Sequence, residues 1–379
     1  MEELNSVVIG GLHHNTLGVI RSLGEAGISK NNINVLIIGK DVPQSNIISK
    51  SKYILRSKIS YIEKYEEITP WLLDLSNDDK MRVVICCADG AAEEVVKHND
   101  KLTPLYKTPK TNIDISILMN KEEQGKIAKV CGLIVPQSIV YSKGNTIFWS
   151  YFPCIIKPIK SIDGAGKNDI HIANNEIELK QAIETTQAKQ VQIQQYITKQ
   201  MEYQLIGCSL NHGEKIIIPG YTRIERQPEN TNTGYLEYRP IDTLKFDTVA
   251  VTNFIKHIGY SGLFSIEFIR DINGTDFFLE INMRNDGNGY CVQSAGVNLP
   301  YIWSYYELYG KVPDVNMSIN RSIWFIPDFN DLKVARKSVG VFRWIKDFIR
   351  ADSHSIYNKK DIRPFMCELR RLVKKIFWR

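Results

Sequence analysis

The sequence predicts an α/β domain built on a parallel sheet, then an α+β region of antiparallel strands, then a basic helical C-terminal extension. Three observations carry this reading. Short apolar strands alternate with helical stretches over the first hundred or so residues. From Gly132 to about residue 310 the pattern becomes antiparallel strands with interspersed helices. Finally, residues 316–379 carry a balance of +9, whereas the rest of the chain sums to −3 within a net charge of +6.

The first strand, Val7–Gly11, ends at Gly10-Gly11. His14–Gly27 follows with helical spacing at Leu17, Ile20 and Leu23. Strands at Asn34–Gly39 and Arg82–Cys87 complete a β-α-β pattern. The glycine turn lacks G-x-G-x-x-G and no acid ends the second strand, so it reads as a strand-to-helix turn rather than a dinucleotide site. The alternation stops near residues 105–120. A helix at Lys121–Cys131 then leads into Gly132-Leu-Ile-Val-Pro136.

A length of 379 residues suits two or three packed domains. With 43% hydrophobic and 24% charged residues, disordered, collagen-like and disulfide-stapled classes are excluded. No apolar run approaches the roughly 20 residues of a membrane-spanning helix. Met-Glu-Glu runs almost directly into a strand without a basic flank and apolar stretch, so no secretory signal is expected. The seven cysteines contain no C-x-x-C pair. Reduced thiols and a cytoplasmic location are the expectation.

Three segments carry candidate chemistry. In the first, Phe152–Pro158 delivers Lys157 at a strand end, and Lys160-Ser-Ile-Asp-Gly-Ala-Gly-Lys-Asn168 follows as a glycine loop with flanking lysines. Such a loop lets backbone N–H groups approach phosphate oxygens; a plain hairpin with solvated lysines fits equally. It is not a Walker A loop. In the second, Gln190–Ile197 is a strand running into a connector, with Glu202 beyond it. Backbone groups near 195–197 suit the edge of an adenine and Glu202 suits ribose hydroxyls, although an ordinary edge strand has the same pattern. The third is the hairpin Gly262–Arg270, Asp271–Asp276, Phe277–Asn282. With Asn273-Gly274 as a two-residue turn, opposed residues sum to 547: Glu267 faces Glu280 and Ser265 faces Asn282. Phe264, Ile266 and Phe268 then share the other face with Leu279 and Ile281. Opposed carboxylates destabilise a hairpin. Mg²⁺, a hard cation that accepts a few carboxylates plus phosphate oxygens and water, reverses that sign.

In this order the motifs resemble the ATP-grasp superfamily of carboxylate–amine ligases, whose relatives include D-alanine–D-alanine ligase, biotin carboxylase and carbamoyl phosphate synthetase. The resemblance covers roughly residues 1–310. It implies a pre-ATP-grasp domain (1–117), a first lobe with the glycine loop (118–198), a second lobe with the metal site (199–312) and an extension (313–379). By resemblance, Lys121 and Lys157 bind ATP phosphates and the loop with Ser161, Gly164, Gly166 and Lys167 closes over them. Gln194 and the backbone of Gln195 and Ile197 hold adenine, and Glu202 holds ribose. Glu267, Glu280 and Asn282 ligate two Mg²⁺, and Arg284 stabilises the acyl phosphate or the later tetrahedral intermediate. Arg223 and Arg239 are candidates for the γ-phosphate. Met283 replaces the family's usual proline, and the loop is poorer in glycine and serine than many.

The implied activity is ADP-forming ligation of a carboxylate to an amine, both small molecules. Alternatives are a catalytically silent ATP-binding scaffold, or a carboxylase or kinase on the same fold. No biotin-attachment Met-Lys-Met and no internal repeat accompany the motifs. Asn285-Asp-Gly-Asn-Gly-Tyr290 is a polar loop whose Asn285 and Asp286 suit an amino group or a sugar hydroxyl, or merely a turn. The opening Gly10–Gly18 with Arg21-Ser-Leu-Gly24 resembles ATP-grasp proteins of bacterial surface-polysaccharide synthesis.

In the extension, Phe365, Leu369, Leu372 and Ile376 form a stripe with Met366, Val373 and Phe377 beside it, opposite Arg370, Arg371, Lys374, Lys375 and Arg379. Val334, Val339, Phe342, Ile345 and Phe348 repeat the pattern. Residues 332–379 can pack on the body or lie on an anionic membrane surface. No nucleic-acid partner is expected, and the oligomeric state is left open.

Overall fold

The computed structural model describes residues 4–78, 80–159, 169–228 and 233–377. Five strands form the N-terminal sheet: β1 (Ser6–Gly11), β2 (Ile33–Ile38), β3 (Ile59–Ile62), β4 (Arg82–Cys86) and β5 (Tyr106–Lys107). All pair in parallel, in the order β3-β2-β1-β4-β5. The order reverses beside β1, so the chain ends of β1 and β4 flank a crevice, the usual ligand position in open parallel sheets. Gly10 is required there, because a Cβ would lie 2.7 Å from Cys87 Cβ.

A four-stranded antiparallel sheet follows: β6 (Ser138–Ser142), β7 (Cys154–Pro158), β8 (His171–Ala173) and β9 (Gln190–Gln195), in the order β6-β9-β7-β8. With the helix Glu176–Thr185 it encloses its own core of Tyr141, Cys154, Ile156, Leu179, Ile183, Val191 and Ile193.

The largest sheet has seven strands: β10 (Lys199–Leu210), β11 (Lys215–Arg226), β12 (Tyr235–Pro240), β13 (Gly262–Asp271), β14 (Asp276–Asn282), β15 (Ile323–Ile326) and β16 (Ser353–His354). Their order is β14-β13-β10-β11-β12-β15-β16. One face buries Tyr203, Leu205, Phe264, Ile266 and Phe268 against the helix Thr248–Ile258. The other shares a continuous core with the N-terminal sheet, through Ile206, Leu236, Trp303 and Phe325 together with Val8, Ile20 and Val35.

The extension beyond residue 313 supplies β15 and β16 as well as helices. Its apolar positions divide between two faces. Phe348 and Phe365 join His354 and Tyr357 in one aromatic cluster, and Phe365 also stacks on Phe329 at 5.3 Å. Phe342 is 92% exposed, and Ile345 and Ile349 also face solvent. The expected single stripe fails because six residues of helix, from Phe342 to Phe348, turn through about 600°, placing the two side chains on different sides. Ile376 and Phe377 lie where side chains are not described.

Candidate active site

The hairpin β13–β14 builds the centre of the site. Glu267 pairs directly with Glu280 and Ser265 with Asn282, as the sequence predicts, but by a different route. The turn is one residue longer than expected. Gly274, at φ +84°, donates its N–H to Asp271 O (3.1 Å), and Asp271 N–H meets Thr275 O at 2.9 Å. That sets Phe268 opposite Phe278. A bulge between the two pairs then restores Glu267 to Glu280. Hence Phe278, not Leu279, joins the buried face; Leu279 is only half-buried.

Strand β10 lies on the other side of β13, with Gln204 opposite Glu267. Gln204 is 1% exposed; its Nε2 donates to Glu267 Oε1 (3.2 Å) and its Oε1 accepts from Asn288 Nδ2 (2.8 Å). Asn282 Nδ2 also donates to Glu267 Oε1 (3.1 Å). Arg284 extends this network. Its Nη2 donates to Asn282 Oδ1 (3.1 Å), its Nε to Asp89 Oδ1 (2.7 Å) and its Nη1 to Asn285 O (3.2 Å). Asp89 opens a helix after β4, so Arg284 ties the hairpin to the N-terminal domain. Burial opposes the Arg284 charge, but Asp89 and Asp286 outweigh it and hold the guanidinium above its usual pKa.

Lys121 begins the helix Lys121–Val130, capped by Asn120 through Glu122 N–H (2.9 Å). Its Nζ forms an ion pair with Glu280 Oε2. Burial pushes the Glu280 carboxyl up, yet Lys121, aided by Lys157 and Arg284, brings it below the ordinary value. The same contact raises Lys121. Lys157, on β7 of the four-stranded lobe, donates to Gln194 Oε1 on β9 (2.9 Å). Burial and the neighbouring Lys121 depress its pKa to about 8. Two lysines thus converge on two carboxylates from separate elements.

The remaining candidates divide. Glu202 shares the Glu267 face of the sheet and accepts from Lys199 Nζ (2.7 Å) and Gln227 Nε2 (3.2 Å). Gln195 donates its N–H to Gln137 O (2.8 Å), so that donor is already used within the lobe; Ile197 lies in the connector to β10. Arg223 and Arg239 are corrected. They pair across the ladder with Tyr203 and Tyr221, on the opposite face from Glu267, where they contact Glu225 (3.4 Å) and Glu237 (2.7 Å). Strand alternation therefore places both away from Glu267 and Glu280. Asn285 is also corrected from substrate group to seam residue. It is buried, its Nδ2 donates to Asn15 Oδ1 and its backbone N–H to Cys86 O (2.9 Å). Asp286, likewise buried, accepts from Ser265 Oγ (2.8 Å) and Asn288 N–H (2.7 Å). Ser161, Gly164, Gly166 and Lys167 fall outside the described residues.

Sequence reasoning did not single out Gln204 and Asp89. A glutamine at the register position beside Glu267, and an acid straight after a parallel strand, were the available signals.

No family model matches the sequence, and no curated protein matches it. Solved structures do match. An L-amino acid ligase from Bacillus licheniformis superposes with TM-score 0.62 at 13% identity, covering 86% of this chain and 80% of that one. N5-carboxyaminoimidazole synthetase from Staphylococcus aureus gives 0.61 at 16% identity, with 88% and 86% covered. Biotin carboxylase from Campylobacter jejuni gives 0.62 at 15%, with 85% and 75% covered. The chain has the ATP-grasp fold. Within that fold the small lobe supplies Lys157, and the large sheet supplies Glu267, Glu280 and Asn282 on its cleft face.

The donor set suits magnesium. Two carboxylates and an amide present hard oxygens on one face. Among the described residues no third acid, histidine or cysteine joins them in a cluster. The remaining positions of a six-coordinate ion then fall to phosphate oxygens and water.

Proposed function

We propose that this protein is an ATP- and Mg²⁺-dependent ligase that activates a carboxylate as an acyl phosphate and joins it to an amine, releasing ADP and phosphate. The observation that carries this reading is the convergence of Lys121 and Lys157 on the opposed pair Glu267–Glu280, with Arg284 fixed beside it. Neighbours of the same fold include a structure described with MgADP and one described as a biotin carboxylase–ATP complex.

Bound Mg²⁺, held by Glu267, Glu280 and Asn282, would neutralise the triphosphate. Lys157 would hold phosphate oxygens from the small lobe. Lys121, which pairs with Glu280, would turn toward phosphate once that carboxylate is otherwise engaged. The carboxylate substrate attacks the γ-phosphorus and ADP leaves. The amine then attacks the acyl carbon, loses a proton and expels phosphate. Arg284, anchored by Asp89, would stabilise the oxygen that gains charge in both steps. Closure of the lobe would keep water from the acyl phosphate.

The test is an ADP-release screen of amino acids and uronic acids paired with amines, with product masses. Acid-dependent ADP formation with a product equal to acid plus amine minus water supports the reading; ATP binding without turnover across the screen refutes it. A role in surface-polysaccharide modification rests on the resemblance of Gly10–Gly18 and Arg21–Gly24, and uronic acids test it.

We propose as well that the extension touches an anionic membrane surface. Among the described residues no helix is long and apolar enough to cross a membrane. The helix Val341–Arg350, however, exposes Phe342, Ile345 and Ile349 beside Lys346 and Arg350. Truncation near Pro313 would remove β15 and β16, so point changes are the proper test. Phe342→Glu with Ile349→Glu should abolish flotation with anionic liposomes; unchanged flotation, or none in the parent, rejects the idea.

A further inference from the structure

A groove of about 1640 Å³ lies between residues 43–56 of the N-terminal domain and the helix Arg363–Phe377 of the extension. The two walls are joined just before that helix begins. Arg21 Nε pairs with Asp361 Oδ2 at 3.0 Å, both side chains being buried. Asp361 also accepts from Ser51 Oγ (2.8 Å) and Lys52 N–H (2.9 Å), and Arg21 donates to Ile356 O (2.7 Å). The N-terminal end of the helix is thereby anchored to the folded body.

Its lining combines a row of cations with apolar side chains. Lys50, Lys52 and Arg56 on one wall face Arg363, Arg370 and Lys374 on the other, and none of these six cations forms an ion pair among the described residues. The one acid in the lining, Glu368, is already paired with Arg371 (2.9 Å). Between the cations lie Leu55, Met366, Leu369 and Val373, of which Met366 and Val373 remain more than one-third exposed.

The groove also reaches the site described above. Leu12, His13 and His14 belong to its lining, immediately after β1 at the switch point of the parallel sheet. A Cβ on Gly287 would come within 3.7 Å of His14 Nε2, so the histidine touches the loop that follows Arg284. His13 is close enough to Arg284 that, after burial, the guanidinium is the main influence lowering its pKa.

We propose that this groove binds an amphiphilic anion, a single long apolar chain carrying a phosphate or diphosphate head, and thereby presents a lipid-linked substrate to the ligation site. The head group would neutralise the opposed cations while the chain covers the apolar residues between them. A planar bilayer cannot follow both walls of a concave groove, which favours a single extracted chain over a membrane surface. Calling the ligand a substrate rests on the ligase reading; its binding does not.

The experiment is calorimetric titration of the full-length protein with farnesyl diphosphate, with inorganic pyrophosphate and farnesol as head-only and chain-only probes, and with phosphatidylglycerol vesicles. Farnesyl diphosphate should bind at least about tenfold more tightly than either fragment. The double variant Arg370→Glu, Lys374→Glu should lose about tenfold or more of that affinity, with MgATP affinity and melting temperature unchanged. Equal binding of pyrophosphate, unchanged binding in the double variant, or binding of vesicles with no binding of farnesyl diphosphate would each overturn the proposal. Binding is read without turnover, so failure here is separable from failure of the ADP-release screen.

Discussion

Lys157 makes the proposed nucleotide site titratable near neutrality. Its pKa lies at about 8 rather than 10.5, depressed first by burial and then by Lys121. Its charge is present below pH 7 and is lost as pH rises through 8. If only the ammonium form holds triphosphate, the dissociation constant scales as one plus the neutral-to-charged ratio. That factor is about 1.1 at pH 7 and about 11 at pH 9, so ATP should bind about tenfold more weakly at the higher pH. The difference corresponds to about 1.4 kcal/mol. Calorimetry in buffers of different ionisation enthalpy measures both the affinity and the accompanying proton uptake. Lys157→Arg keeps a charge throughout and should flatten the profile. A flat parent profile, or a variant that retains the slope, would refute the argument. Folding has a related signature. Between pH 8 and 10.5 the unfolded lysine keeps a proton that the folded one has lost, so stability should rise with pH in that window.

Other outcomes follow from the same geometry. Glu280→Ala should reduce ADP release by about a hundredfold or more, as loss of a principal electrostatic group does, while the circular dichroism spectrum stays unchanged; near-normal activity would remove the metal assignment. Arg284→Lys should cost about a hundredfold in kcat, because an ammonium cannot serve Asp89, Asn282 and the Asn285 carbonyl together; retained kcat would show that the guanidinium only fastens the seam. Asp361→Asn leaves the Arg21 guanidinium buried beside a neutral partner and should destabilise the protein by about 3–5 kcal/mol in urea unfolding. A loss below about 1 kcal/mol would mean that the pair is dispensable.

The site was legible where strand alternation and residue chemistry coincide. Glu267, Glu280 and Asn282 could be read from the hairpin alone, although the reading succeeded because two departures cancel. The turn holds one residue more than Asn273-Gly274 suggests, and the bulge near Leu279 gives that residue back before the carboxylates. Turn length and bulge are set by how Phe278 packs and by its N–H bond to Ile134 O (2.8 Å), neither of which is local. Arg223 and Arg239 failed for a related reason: assigning a face to β11 requires its register with β10, which depends on two strands whose relative offset the sequence does not encode locally. The Arg21–Asp361 pair joins positions 340 residues apart, beyond any periodicity argument. Phe342 and Phe348 were grouped by hydrophobicity although helix geometry sends them to different sides.

Tyr141, Cys154, Ile156, Leu179, Ile183, Val191 and Ile193 enclose an apolar core of their own, so the lobe that bears Lys157 is packed separately from the two larger sheets. Its connections to the body are anchored, since Leu133 is buried in the core of the large sheet, Ile134 O accepts from Phe278 N–H (2.8 Å) and Ile197 is buried. Any displacement of that lobe would change the distance from the Lys157 ammonium to Glu267 and Glu280, so the protonation of one lysine would register it.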